Sequence, residues 1–444
     1  MKATVYTSSK RQKTQLQKQK SIGFEHNPNA ENCCINVYTD LRYQKMLGFG
    51  SAITDSSAAV YKKMSQKVKD EFITAAFDKE KGLGLNFCRT TIGSCDFSED
   101  VYSYIEEGDY ELKTFDISHD KEQIIPLILQ AYKQSGEKFK VFASPWSPPK
   151  FLKDNDQLNY GGKLKEENYE VWAKYFAKYV KAYRENGVNL FGVTVQNEPM
   201  ASQTWESCMW TAKETAIFVR DYLSTALENE GVGDTKVMIW DHNKEHVYDW
   251  AKALKETEGA SEKVWGIAFH HYSGEHFDSL KFAKEILPTK QLVESEFCYD
   301  LRGMSWYTAV RMANELIGNI NNFTSAITDW NILLDTAGGP FHWRRTGCSS
   351  PFQYDEKNDK LIATPVATAF SHFSKFVKKG AVRLGVSSYS SFLCSTAFEN
   401  PDGSLVVVVL NKAKKKVALN LRINEDVAQT YLKPNSITTF VISK

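Results

Sequence analysis

The chain has 444 residues, 42% of them hydrophobic and 25% charged. These are the values of an ordinary globular protein that folds without a metal or a disulfide framework, as one large barrel-type domain or as two or more modules. The 55 Lys and Arg against 54 Asp and Glu leave a net charge of +1, too weak a field to attract nucleic acid.

The most apolar run, SLVVVVL from Ser404, is far shorter than the roughly 20 residues that cross a bilayer, so no membrane span is expected. The first 20 residues carry positive charge with no apolar stretch after them, which places the expected location in the cytoplasm. The Lys/Gln-rich residues 10–20 are read as a guarded sheet edge in preference to a basic arm for an anionic surface. Eight scattered cysteines without a CxxC pair read as reduced thiols, many of them buried.

In chain order, three segments differ in pattern. Residues 1–43 are polar with short extended stretches such as CINVY from Cys34. Residues 44–379 alternate short apolar runs with helical stretches. Residues 380–444 are almost all β-prone, with runs at 405–410, 417–423 and 437–442 separated by Pro-Asp-Gly and Pro-Asn turn signals.

Within the middle segment eight apolar runs fit buried parallel strands: MLGFGSAIT from Met46, GLNFCRTTI from Gly84, FKVFASPW from Phe139, LFGVTVQNEP from Leu190, KVMIWDHN from Lys236, VWGIAFHHY from Val264, QLVESEF from Gln291 and SAITDWNIL from Ser325. Residues 167–184 between two of them have apolar side chains at three- and four-residue spacing, the mark of a helix. Eight such units close a (β/α)8 barrel. A doubly wound open sheet would allow the same alternation, but the polar run ends favour the barrel. Asp55, Arg89, Trp146, Asn197, Glu198, Asp241, His271, Tyr272, Glu296 and Trp330 would all meet at one mouth. No glycine-rich phosphate loop follows a strand, which excludes nucleotide chemistry.

Glu198 and Glu296 end the fourth and seventh runs. Two carboxylates facing each other across a sugar are what glycosidic cleavage needs, one to protonate the leaving oxygen and one to meet the anomeric carbon. Glu294 competes with Glu296. Two-residue spacing gives both the same side of a strand, and Glu296 is favoured as nearer the mouth. Trp146, Trp330 and Tyr272 offer flat rings for sugar C–H faces, while Arg89 and Tyr272 are placed to hold the Glu296 carboxylate. His270 and His271 invite a metal reading, but strand neighbours point to opposite faces and no third ligand accompanies them. No metal or organic cofactor is expected.

Together these motifs resemble glycoside hydrolase family 30, in its glucosylceramidase-like (acid β-glucosidase) branch. The resemblance rests on GFGSAITDSSA from Gly48, RTTIGSCDFS from Arg89, ASPWSPPKFLK from Ala143, TVQNEP from Thr194, ESEFC from Glu294, TDWNILLDTAGGP from Thr328, HFSKFVKKGAVR from His372 and PDGSLVVVVLN from Pro401. It implies a (β/α)8 TIM barrel with an all-β sandwich built from the C-terminus and N-terminal strands. It further implies a retaining hydrolase with Glu198 as acid/base, kept protonated by a raised pKa, and Glu296 as nucleophile. Asn197 would bind the sugar's 2-hydroxyl, and Asp96, Trp146 and Trp330 would form the sugar pocket. Ser51, where the family often has a second Gly, and His271, where lysosomal relatives carry Trp, imply a different rim around the leaving group. The implied substrate is a β-linked glycoside or glycolipid. A β-xyloside, a β-1,6-glucan cut internally and a catalytically silent carbohydrate binder are the alternatives, and no oligomeric state is assigned.

Overall fold

A computed structural model describes residues 1–10, 15–301 and 304–443. Eight parallel strands occupy the eight expected runs: Gly48–Ser51, Phe87–Ile92, Lys140–Pro145, Leu190–Thr194, Lys236–Asn243, Gly266–His270, Gln291–Glu296 and Thr324–Asp329. From the second to the eighth each pairs with its sequence neighbour, and the eighth returns to pair with the first. Between the first and second strands the barrel closes through an Ala52–Arg89 bridge and the backbone bonds Ile53 N to Arg89 O and Asn86 N to Phe49 O, both 2.8 Å. That seam requires Gly50, because a Cβ there would lie 1.8 Å from the Phe87 carbonyl oxygen.

Helices cover the outside of the barrel, so its strands are buried on both faces and their sequences run apolar without alternation. Helix Tyr169–Glu185 buries Trp172, Phe176, Val180 and Tyr183 against that outer layer. Phe87, Phe142, Met238, Ala268, Val293 and Ala326 fill the barrel interior. Two residues further along, the same face of five of these strands carries Arg89, Ser144, His270, Ser295 and Thr328, with Thr194 level with them. Period-two geometry thus seats a polar layer directly on an apolar plug.

Leu333–Asp335, Phe352–Asp355 and Lys360–Ala363 form a small three-stranded sheet, and the remaining strands form one 11-stranded sheet, almost wholly antiparallel. It joins Lys2–Ser9 and Cys34–Lys45 to six strands between Val382 and Ser443. The run Leu405–Asn411 shows why it is apolar throughout. Leu405, Val407 and Val409 pack inside the sheet's own core, whereas Val406, Val408 and Leu410 pack on the barrel side. Of residues 10–20, Gln17–Lys18 pair with Tyr6 and Thr7 at the end of the sheet, an edge placement; residues 11–14 of that stretch lie outside the described residues. Among the described residues no helix is long and apolar enough to cross a membrane.

His372, on helix Pro365–Ser374 of the barrel, ties the two parts together. Its Nδ1 lies 2.8 Å from Thr439 Oγ1 and its Nε2 2.8 Å from Ser8 Oγ, on two strands of the sheet. The Thr439 hydroxyl donates to the His372 carbonyl, so Nδ1–H donates to Thr439 and the Ser8 hydroxyl donates to Nε2, a neutral ring. Burial pushes its pKa down to about 3. The unfolded chain takes up this proton below about pH 6.5 and the folded chain does not. The stability His372 contributes is therefore complete above pH 6.5 and lost as pH falls toward 3. His372→Ala is expected to cost about 2–4 kcal/mol at pH 7.5, with the cost shrinking at pH 5, as read from denaturant midpoints at the two values.

Candidate active site

At the C-terminal ends of the strands a cavity of about 290 Å³ is lined by Asp96, Trp146, Asn197, Glu198, Tyr272, Glu296 and Trp330, all expected there, together with Gln203, Trp205, His242, Asn243, Cys298 and Arg344. Beneath it lies Arg89, fully buried. Its Nη1 donates to Glu296 Oε2 at 2.5 Å, Nη2 to Asp241 Oδ2 and Asn197 Oδ1 at 2.8 Å each, and Nε to Ser144 Oγ at 3.0 Å. The guanidinium carbon sits 4.8 Å from the Trp146 ring centroid and 5.5 Å from that of Trp330. The two indoles stack at 5.1 Å. One cation thus orients a carboxylate, an amide and two aromatic walls.

Glu296 also accepts a hydrogen bond from Tyr272 Oη at 2.8 Å. Glu198 is fixed through its backbone: its N–H donates to Asp241 O at 3.0 Å, and its φ of 47° lies in the left-handed region. Residues hold that conformation only where the surroundings impose it, which is common at functional sites. One oxygen of Glu198 and one of Glu296 lie within 4.8 Å of each other, with His270 Nδ1 inside the same radius.

The pairing of Glu294 and Glu296 on one side of a strand does not hold. Across the sixth and seventh strands Phe269 pairs with Glu294 but His270 pairs with Glu296, so Ser295 is an extra residue in a bulge. Bulges re-aim the side chains that follow them. Glu296 turns into the mouth, whereas Glu294 stays outside the barrel beside Glu315 and Lys244, its pKa raised by burial and by Glu315. A second register shift between Trp240 and His242 accompanies positive φ at Trp240 and Asp241.

His271, expected at the rim, is not among the residues lining this cavity. Its Nε2 lies 2.9 Å from Cys298 O and its ring packs on Tyr299 and Phe297. Ser51 is also removed from any rim: it is fully buried and its hydroxyl donates to Trp330 O. Asp55 sits in a helix start, bonded to His119 and the Glu99 N–H, outside the cavity lining. His270 is the residue that period two should have found, two positions beyond interior Ala268. It stands between Glu198 Oε1 (3.3 Å) and Asp241 Oδ1 (3.1 Å).

The charge state of Glu198 also differs from expectation. Burial pushes its pKa up, but the hydrogen bond from His270 and the charges of His242 and His270 outweigh burial and hold it low. For His270 burial works against the charge, yet Glu296, Asp241 and Glu198 raise its pKa to about 9. The proton expected on Glu198 therefore rests on His270. Asp96 is pushed up to about 6 by burial, although Arg344 donates to it at 2.6 Å. A metal ion among Glu198, His270 and Glu296 would have to displace the His270 proton and face Arg89, so the chemistry of this donor set favours a proton over a second cation.

Asp241 anchors the layer, accepting from Arg89, Thr194 (2.6 Å), His270 and Ser295. Asp241→Ala leaves a buried guanidinium and an imidazolium short of an anion. An unfolding free energy lower by about 3–5 kcal/mol, with the denaturant slope unchanged, is the expected outcome; an unaltered midpoint would count against the anchoring role.

Comparison with known proteins assigns both parts of the chain to one family. The glycosyl hydrolase family 30 TIM-barrel domain matches residues 46–377 and the family's beta sandwich domain matches residues 380–440. The chain is 32% identical to the lysosomal acid glucosylceramidase of Mus musculus over 427 residues, 90% of this chain and 82% of that protein. It is 27% identical to the endo-1,6-beta-D-glucanase BGN16.3 of Trichoderma harzianum, over 94% of this chain and 87% of that one. The crystal structure of SrfJ from Salmonella typhimurium superimposes with a TM-score of 0.95 at 32% identity, covering the whole of both chains. The chain belongs to glycosyl hydrolase family 30.

Proposed function

We propose that this protein is a retaining, exo-acting β-glycosidase that releases a terminal sugar from a β-glucoside, glycolipids included, without a metal or organic cofactor. The observation that carries the reading is the separation of Glu198 and Glu296, whose nearest oxygens lie within 4.8 Å. Retaining enzymes hold their carboxyl groups about 5–5.5 Å apart, whereas inverting ones leave about 6.5–9.5 Å for a water. The mouse relative, named a glucosylceramidase, supports a β-glucoside.

In this reading Glu296, oriented by Arg89 and Tyr272, attacks the anomeric carbon while Glu198 protonates the leaving oxygen. Glu198 then deprotonates the water that releases the sugar. With the proton on His270 Nδ1, binding of the sugar must move it the 3.3 Å to Glu198. Excluding water from around the pair weakens its charged form relative to the neutral one and favours that transfer. Trp146 and Trp330 stack on the ring, Asn197 meets the 2-hydroxyl, and the Asp96–Arg344 pair with Trp205 closes the far end, which suits one sugar ring better than a chain.

Glu296→Gln is expected to lower kcat/KM on an aryl β-glucoside by at least about 10³-fold, and Glu198→Gln by about 10²–10⁴-fold. Wild-type turnover in either variant would remove that residue from its role. The second reading, an endo-acting β-1,6-glucanase, draws on the Trichoderma relative. Products from a β-1,6-gluco-oligosaccharide decide between them, monosaccharide alone supporting exo action and internal fragments the endo reading.

The pH profile tests the proton's place. The alkaline limb of kcat/KM is expected to follow loss of the His270 proton at about 9 and to move to lower pH in His270→Gln, where Glu198 alone holds the proton. A limb at the same pH in both proteins would refute a shared proton.

A further inference from the structure

Cys298 and Cys348 place their sulfurs 3.2 Å apart, with the Cys298 thiol donating toward Cys348. Both are free, and neither has a part in the hydrolysis derived above. Two strands of surrounding backbone hold them together: Asp300 bridges to Cys348, Ser349 N–H donates to Tyr299 O at 2.9 Å, and Tyr299 N–H donates to Ser349 Oγ at 2.9 Å. Each sulfur has a further polar neighbour. Tyr272 Oη lies 3.5 Å from Cys298 Sγ, and Arg344 Nη2 lies 3.6 Å from Cys348 Sγ. Cys298 is half-buried and lines the catalytic cavity, so a small molecule that enters the cavity reaches it, while Cys348 lies behind it.

From this juxtaposition we propose that Cys298 and Cys348 form a reversible oxidation site whose co-reactant is a small-molecule disulfide, and whose closure slows the enzyme. Cys298 Sγ attacks one sulfur of the small disulfide, breaking its S–S bond. The thiolate that leaves takes up the proton given by Cys298. Cys348 Sγ, facing the Arg344 guanidinium, then attacks Cys298 Sγ and breaks the mixed disulfide, and the second small thiol leaves with the proton from Cys348. Two electrons pass from the protein to the small disulfide, two protons end on the two released thiols, and one intramolecular S–S bond remains.

Two contacts carry the consequence to the cavity. A disulfide needs its sulfurs about 2.05 Å apart, so closure from 3.2 Å draws Cys298 toward Cys348 and out of its place beside Tyr272. That tyrosine hydroxyl is the one bonded to Glu296. On the other side Arg344 loses a sulfur partner while it holds Asp96, between the Phe97 and Trp205 rings. Displacements on the scale of an ångström near reacting groups are large enough to cut turnover.

The test treats the fully reduced protein with oxidised glutathione, then maps the non-reduced peptides by mass spectrometry and assays aryl β-glucoside hydrolysis. Expected are a peptide pair joined through Cys298 and Cys348 with the loss of two hydrogens, a fall in activity of at least about tenfold, and recovery of both on adding dithiothreitol. Cys348→Ser, and Cys348→Ala as a second variant, are expected to keep the reduced protein's activity and to lose the response. A reduced peptide pair after treatment overturns the proposal, as does an equal loss of activity in the Cys348 variants or a cross-link without any change in rate. The kinetic arm rests on the hydrolase reading and the peptide map does not, so a protein inactive on every glycoside would still reveal whether the bond forms.

Discussion

The constraint on which the site depends is the burial of a guanidinium. Arg89 has no exposed surface, and a cation removed from water must meet anions and acceptors at every face it presents. Asp241 and Glu296 supply the charge, Asn197 and Ser144 the remaining acceptors, and two indoles flank the carbon. Ser144 and Trp146 come from the third strand and its end and the other four partners each from a different one, so satisfying one cation fixes the relative positions of the second, third, fourth, fifth, seventh and eighth strands. The geometry between Glu198 and Glu296 follows, because Glu198 hangs from the Asp241 carbonyl and Glu296 from the guanidinium.

That arrangement sits where it does because of the apolar layer beneath it. Phe87 and Phe142 meet at 5.6 Å in the barrel interior and exclude water from below. Closing the barrel around that plug brings the first and second strands close enough to require Gly50. Interior side chains of the same strands, two residues higher, are then forced into one plane, which makes the polar layer a consequence of strand period once the plug is filled. The sandwich braces the barrel from outside, where the even-numbered residues of Leu405–Asn411 meet the barrel side and His372, on a barrel helix, meets Ser8 and Thr439 of the sheet.

How much of this was legible in the sequence follows from the same physics. The eight barrel strands could be read because both their faces are covered, which leaves an uninterrupted apolar record. Strands such as Lys2–Ser9 and Asp426–Leu432, each with a polar or exposed side, left too mixed a pattern to be read. At the site, Glu198, Glu296, Arg89, Trp146, Trp330 and Tyr272 ended readable runs. Period two failed where a bulge intervened: it put Glu294 and Glu296 on one side, because the extra residue at Ser295 is invisible in composition. Arg344, Trp205 and Cys348 come from loops, which have no period, and only the folded chain brings them to Asp96 and Cys298. The lowered pKa of Glu198 was out of reach for a similar reason, since it arises from a histidine 72 positions away.

The charges of the assembled layer point to what the site is built to stabilise. Three carboxylates, Asp241, Glu198 and Glu296, surround two cations, Arg89 and a protonated His270. The cluster is one positive charge short of balance, in a place that water scarcely reaches. A neutral sugar in its ground state does not supply that charge. An anomeric carbon that gains positive character as its bond to the leaving oxygen lengthens does supply it, between the same two carboxylates that lie within 4.8 Å. The missing charge therefore appears only in the transition state, and the fixed dipoles and ions around it need no reorganisation to meet it. In the proposed mechanism, passing the His270 proton to Glu198 and on to the leaving group alters where the cluster's charge sits without changing the sign of the site. The same residues that make the fold tolerate a buried arginine thus leave an uncompensated negative charge at the one position where a glycosidic bond would break.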